Sequence, residues 1–160
     1  QGRRWHLSAA WQHARTRITQ VNRAPAVLGV DMTDLILDPY TRVTMESGQP
    51  SSAFKFWAQY STPAYALVAN VSRYGSYAST YGDTPVTFAA RWTLDLQWRY
   101  QINPHTTLAL GGTNVLNSKP AQWGETDDTV TGAGKPLRYS QYAPFGYNGA
   151  AYYLRLGVRF

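Results

Sequence analysis

The chain has no cysteine among its 160 residues, which excludes a disulfide framework, thiolate metal ligands and a cysteine nucleophile. It also has no apolar run near the ~18 residues that a membrane-crossing helix needs, so a helical membrane protein is excluded. Charged residues are sparse, at 15% of the chain. Their balance of +6 invites a nucleic-acid partner, but no basic run exceeds the pair Arg3-Arg4. Basic residues that alternate with apolar ones read as the wet side of strands, so no nucleic-acid partner is expected. The Gly-x-Ser-x-Gly, phosphate-loop and His-Glu-x-x-His segments are missing too. His6, His13 and His105 stand too far apart for a ligand spacing. Glu125, Asp127 and Asp128 lack the rest of a calcium loop and read as a solvated acidic loop. No catalytic constellation, metal site or cofactor is expected, and the chain is not read as an enzyme. The opening at Gln1 shows no basic and apolar leader, and because strand pattern starts at once a truncated longer chain is the expected context.

What is present is aromatic residues in alternation. Tyrosine, tryptophan and phenylalanine supply 12, 6 and 5 residues. Trp92, Leu94, Leu96, Trp98, Tyr100 and Ile102 alternate strictly with Arg91, Thr93, Asp95, Gln97, Arg99 and Gln101. A helix stripe cannot produce that period of two, whereas a half-buried strand must. The same pattern marks Arg3 to about Thr19 (Trp5, Leu7, Ala9, Trp11), Ala53–Ser61 (Phe54, Phe56, Ala58, Tyr60), Tyr65 to about Tyr77 (Leu67, Ala69, Val71), His105–Val115 (Leu108, Leu110) and Ala150–Phe160. In the last of these, Tyr152, Leu154, Leu156, Val158 and Phe160 share one face, with rings at both ends. Six strands of roughly the ~9–11 residues that cross a bilayer at a tilt are predicted.

The connections alternate as well. They are long (20–52), short (62–63), medium (78–90), short (103–104) and long (116–149). Tight turns at one end and long loops at the other are the habit of outer-membrane barrels, with the short turns periplasmic. On that reading Phe160 is periplasmic. Pro120, Gly124, Gly132, Gly134, Pro136, Pro144 and Gly146 mark 117–149 as loop, and the apolar stretch 26–37 reads as a short strand or turn within the first loop. The fold class expected is all-β: an antiparallel transmembrane β-barrel segment. Arg91, Asp95, Arg99, Arg155 and Arg159 are expected to face the barrel interior.

The C-terminal stretch resembles the end of TonB-dependent outer-membrane receptors. The segments that carry the likeness are the hairpin Trp92–Tyr100 with Leu108–Asn117, Gly111-Gly-Thr-Asn114-Val-Leu-Asn117 in the place of a Gly-x-x-Asn-Leu-Phe-Asp motif, Lys119-Pro120, Tyr142-Ala-Pro-Phe-Gly146, and the terminal strand ending at Phe160. The likeness covers roughly the last 70 residues and, more loosely in rhythm, residues 1–90. It implies a barrel of about 22 strands around a plugged lumen. Residues 1–160 would be its C-terminal part, with the plug and earlier strands elsewhere. It further implies uptake of a scarce nutrient (ferric siderophore, cobalamin or sugar) across the bacterial outer membrane, energised by the TonB complex through the missing N-terminal part. Outer-membrane lipid, the plug, the remaining strands and the barrel-assembly machinery would be its partners. Trp123, Arg138, Tyr139 and Tyr142 are candidate ligand-binding residues of the extracellular loop, because rings and arginine suit chelates and sugars. Tyr152, Leu156, Val158 and Phe160 are the candidate assembly signal. A porin-like channel and a soluble all-β carbohydrate-binding module are the alternatives.

Overall fold

The computed structural model describes residues 2–22, 37–81, 84–123 and 138–160. The acidic loop residues Glu125, Asp127 and Asp128, and all but Leu37 of the apolar stretch 26–37, lie outside them. Six long strands form one antiparallel sheet: β1 (Arg4–His13), β2 (Ser52–Ser61), β3 (Tyr65–Tyr74), β6 (Arg91–Asn103), β7 (Thr106–Thr113) and β8 (Ala151–Val158). Their order in the sheet is β1-β2-β3-β6-β7-β8, a meander interrupted by one separate hairpin, β4 (Tyr77–Tyr81) with β5 (Thr84–Phe88). All pairs are antiparallel. Among the described residues no helix is long and apolar enough to cross a membrane.

Register makes the alternation in each strand add up to two opposed faces. One row runs Trp5, Tyr60, Leu67, Trp98, Leu110, Leu154 from strand to strand. The row beside it on the same face runs Leu7, Ala58, Ala69, Leu96, Gly112, Tyr152. On the opposite face His6, Gln59, Val68, Gln97, Gly111 and Tyr153 are aligned. A shift of one residue in any pair would turn that strand's apolar set to the other side. Among the described residues no layer covers the apolar face: Trp92 is 47% exposed and Leu96 44%. Every residue of β1 and β8 is exposed, and each of these edge strands is paired on one side only.

The tight turns are built from side chains that copy backbone partners. Thr62 Oγ1 accepts from Tyr65 N at 3.0 Å, and Asn103 Oδ1 accepts from His105 N at 2.9 Å, an Asx turn that bends the chain between β6 and β7. A bulge between Gln101 and Asn103 adds twist next to that turn. Two adjacent glycines in β7 serve opposite faces. A Cβ on Gly111 would run into the ring of Tyr153, its cross-strand partner on the polar face, and one on Gly112 would meet Tyr152 Cδ1 at 2.8 Å on the apolar face. The bare backbone is what lets both tyrosines of β8 lie down across β7, a pairing of glycine with a cross-strand ring.

Four segments depart from the expected pattern. The opening strand ends at His13 rather than near Thr19, since the polar run that follows has no apolar row to complete. Residues 78–90, expected as a loop, hold most of the β4–β5 hairpin. The first loop contains a helix, α1 (Pro39–Ser47), capped by Asp38, whose Oδ1 accepts from Thr41 N at 2.6 Å, with proline at its first turn. The sheet is thin and builds no interior of its own. The buried apolar cluster lies instead at the loop end, where Tyr77, Val86 and Phe88 of the hairpin pack with Ala121, against Trp123 and Tyr142. Residues 117–123, expected as plain loop, thus supply part of a core, with Pro120 fully buried beside Ala121.

Candidate functional site

All the long connections leave from one end of the sheet, so the loop-borne candidates are brought together there. A bridge between Gln122 and Tyr139 joins the two described parts of the last long loop, with Trp123 N donating to Arg138 O at 3.3 Å. Arg138 Nε donates to Gln122 Oε1 at 2.8 Å, and its guanidinium sits 5.9 Å from the centroid of Tyr139. Tyr139 in turn stacks on Tyr147, with centroids 5.7 Å apart and planes 10° from parallel. Arg138 and Tyr147 are exposed.

The four candidates therefore divide into two kinds. Trp123 meets Phe88 edge-on at 4.9 Å, and Tyr142 packs on the same cluster. Both steady the loop assembly. Arg138 and Tyr139, with Tyr147, form an outward-facing cation and stacked-ring surface suited to a planar or anionic ligand. Tyr147 was not expected, and its signal in the sequence is only an aromatic among glycines and asparagine. Tyr40 was missed as well. Its hydroxyl hydrogen-bonds that of Tyr142 and accepts from Gln141 Nε2 at 3.2 Å, which ties the helix of the first loop to the last loop. Hydrogen bonding within that pair raises the pKa of Tyr40 and lowers that of Tyr142. Burial pushes the Tyr77 phenol up, partly offset by Ser140 and Arg91.

The helix cap carries its own pH dependence. The Thr41 side-chain and backbone hydrogen bonds hold the Asp38 carboxyl below the usual carboxylate range. A depressed carboxyl stabilises the folded form above its unfolded pKa of about 4, and that stabilisation fades as pH falls through the lower folded value. The protection factor of the Thr41 amide, taken against the intrinsic exchange rate at each pH, should fall below about pH 4, and Asp38→Ala should lower it at neutral pH. A Thr41 protection factor that does not change with pH would contradict the cap's role.

A second constellation sits where β6, β7 and β8 meet the last loop. Asp95, expected to face the interior alone, accepts from Asn114 N at 2.7 Å. Asn114 has φ 50° and closes its own loop: its Oδ1 accepts from Ser118 N at 3.0 Å and its Nδ2 donates to Ser118 O at 2.7 Å. Asn117, at φ 52°, accepts from Ala150 N at 3.2 Å through its side chain, beside Gly149 at φ 78°. The Gly111–Asn117 segment is thereby a clamp that ends β7 and launches β8. It supplies left-handed backbone at two asparagines, which tolerate it best after glycine.

The remaining predicted residues lie on the strands. Tyr152, Leu156 and Val158 are exposed on the apolar face of β8, with Phe160 exposed just beyond it. Arg99 and Arg155 fall on the polar face, in one cross-strand row with Ala109 between them. His6, His13 and His105 are scattered: His6 on the polar face of β1, His13 stacked on Trp11 at 6.1 Å, and His105 in the β6–β7 turn. Among the described residues no group of three metal-ligating His, Asp or Glu side chains is brought together.

Rings gather at two heights of the apolar face. Near the turns Tyr60 meets Trp5 at 4.7 Å and Tyr65 at 5.9 Å, and Trp98 stacks on Tyr100 at 5.6 Å. Near the loops Phe54 meets Trp92 edge-on at 6.5 Å, and the Arg73 guanidinium lies 5.9 Å from the Trp92 centroid. From Trp92 to Tyr100 is eight steps of about 3.3 Å, and a strand tilt of about 40° leaves a height near 20 Å. That approaches the ~25 Å apolar band between the aromatic girdles of outer-membrane barrels.

No family model and no curated protein matches the sequence. A match among solved structures is the ferripyoverdine receptor of the outer membrane of Pseudomonas aeruginosa, bound to ferripyoverdine, with a TM-score of 0.50 and 14% sequence identity. It covers 75% of this chain but 14% of the receptor, so the chain spans a small part of that protein's length. The likeness is one of fold: the all-β, antiparallel six-stranded sheet is similar to part of an outer-membrane receptor barrel.

Proposed function

We propose that this chain is the C-terminal barrel section of an outer-membrane active-transport receptor, which takes up a scarce nutrient with energy delivered through TonB. The observation that carries the reading is the pair of opposed faces: an uncovered apolar band with rings at both rims, backed in register by a polar face. Lipid would cover the band. In water, an apolar surface this continuous would call for a partner, which argues against a soluble carbohydrate-binding module. The open edges of β1 and β8 would be closed by further strands of the same barrel, because unpaired backbone is not tolerated in hydrocarbon. Tyr152, Leu156, Val158 and Phe160 would serve the assembly machinery before they face lipid. Arg138, Tyr139 and Tyr147 would touch the arriving nutrient, with Trp123 and Tyr142 holding their loop in place. Ferric siderophores are the favoured nutrient class, since stacked rings beside a guanidinium suit an anionic chelate.

The test is uptake by cells that carry the full-length protein, against ferric chelates, cobalamin and oligosaccharides. A receptor should take up one class only, and dissipating the proton gradient should stop it. Arg138→Ala with Tyr139→Ala should weaken binding of that nutrient by about tenfold or more, as for two contact residues at an interface centre. Uptake that is unselective and indifferent to the gradient would mean a porin-like channel instead.

A further inference from the structure

An asparagine side chain is lost when the backbone nitrogen of the next residue attacks its amide carbon, so whatever holds that nitrogen protects the asparagine. Of the six asparagines, Asn22 precedes Arg23, which lies outside the described residues. Asn103 precedes proline, whose nitrogen carries no hydrogen. Asn70 precedes Val71, which lies inside β3 with strands paired on both sides. Val115 N, after Asn114, donates to Leu94 O at 2.7 Å. Ser118 N, after Asn117, donates to Asn114 Oδ1 at 3.0 Å. Gly149, after Asn148, differs. Its amide has no partner among the described residues, although the next amide, Ala150 N, donates to Asn117 Oδ1 at 3.2 Å. Asn148 is exposed, so water reaches its side chain. Gly149 brings no Cβ to hinder attack and stands at φ 78°. Lys119 Cε lies 3.5 Å from where a Cβ on Gly149 would be, which sets an ammonium near that amide.

We infer that Asn148-Gly149 is a site of covalent self-modification, where the asparagine turns into aspartate or isoaspartate. Gly149 N gives up its proton to water and attacks Asn148 Cγ. A C–N bond forms and closes a succinimide ring, while the Cγ–Nδ2 bond breaks and ammonia departs with its electron pair and a proton. Water then opens the ring at either carbonyl carbon and leaves a carboxylate on residue 148. A neighbouring cation favours the amide anion that attacks, which gives Lys119 a part in the rate. Opening towards isoaspartate routes the backbone through the side chain of residue 148. The added atom shifts Ala150 N away from Asn117 Oδ1 and loosens the start of β8. Either product puts negative charge directly after Tyr147, which stacks on Tyr139 beside the Arg138 guanidinium. An anionic ligand at that surface would meet a like charge. This last consequence rests on the proposed function, whereas the modification needs only the local geometry.

The test is peptide mass spectrometry on the full-length protein, aged in mildly alkaline buffer. Residue 148 should exchange its amide for a carboxyl, and isoaspartate formed there should accept a methyl group from S-adenosylmethionine with an isoaspartyl methyltransferase. The rate should rise by up to about tenfold per pH unit, because the amide anion becomes that much more abundant. Asn148→Gln should remove the reaction, since the larger ring closes far more slowly. Lys119→Gln should slow it about threefold, and Lys119→Arg should not. Asn117 supplies a control that no variant is needed to read. In the folded protein it should stay intact. In urea, which frees the Ser118 amide, its rate relative to that of Asn148 should rise about tenfold or more. An Asn148 that persists unchanged, an Asn117 that reacts as fast in the folded protein, or a rate indifferent to pH would overturn the inference. The measurement uses no ligand, so its failure is distinct from failure of the receptor reading, which shows as a protein absent from the membrane fraction.

Discussion

Leu96→Arg should prevent the protein from settling in a bilayer, while Gln97→Arg, one residue along the same strand, should be nearly silent. Leu96 pairs with Ala69 and Gly112 on the apolar face, midway between Trp92 and Tyr100, and stands 44% exposed with none of the described residues layered over it. An arginine at the middle of a lipid-facing band costs about 2–4 kcal/mol, and the cost falls towards zero at the rims. Gln97 faces the other way, in a row with His6, Gln59 and Tyr153, where a guanidinium finds polar neighbours. Small residues flank Leu96 on both sides, so the longer side chain is not blocked by packing. The loss would therefore report the solvent beyond the face and not a clash. Reversible urea unfolding in phospholipid vesicles, followed by tryptophan fluorescence, would measure it. Equal losses at the two positions would contradict a lipid-covered face. A third substitution at the rim, Trp92→Arg, supplies the depth dependence and should cost less than the one at Leu96.

The strands could be read from the sequence because a two-residue period is local, and each strand displays its whole pattern within about ten residues. Their pairing could be read because connections such as Thr62-Pro63 and Asn103-Pro104 leave no length for anything but a hairpin. What lay beyond reach has no local signature. The strand Tyr77–Tyr81 consists of small and polar residues between two tyrosines, and Tyr77 is buried where Phe88 stacks on it at 4.8 Å and Trp123 closes over Phe88. The helix Pro39–Ser47 buries no residue and shows no apolar stripe, and Asp38-Pro39 is its one legible mark. The hydrogen bonds that fix it are distant in sequence: Tyr40 joins Tyr142 across 102 positions, and Glu46 accepts from Ile18 N across 28. For the candidate site, residue types pointed to Arg138 and Tyr139, but only the folded loops separate these from Trp123 and Tyr142, which pack inward. Asp95 illustrates the same limit. Its strand phase correctly placed it on the polar face, yet its partner is a backbone amide nineteen positions on, exposed by the left-handed turn at Asn114.

That turn supports the other large effect. Asn114→Val should lower stability by about 3 kcal/mol, because two independent costs add. A β-branched residue at φ 50° meets backbone strain of about 1–2 kcal/mol. Loss of the side-chain bonds to Ser118 N and O costs about another 1–2 kcal/mol. Asn114→Gly separates the two, since glycine accepts the backbone angle and loses only the side-chain bonds. Asn114→Asp separates them differently. It keeps the acceptor for Ser118 N but gives up the donor to Ser118 O. Its deficit should lie between none and that of Asn114→Gly, because one of the two side-chain bonds is kept. The midpoints of urea unfolding should thus fall in the order wild type, then Asn114→Asp, then Asn114→Gly, then Asn114→Val. Because the clamp joins β7 to β8, the damage should concentrate there: amide protection should drop from Thr106 to Thr113 and in β8, while β1, β2 and β3 hold theirs. Uniform loss along the sheet would mean that the turn acts on the whole barrel's assembly, and equal midpoints for the glycine and valine variants would remove the left-handed backbone from the account.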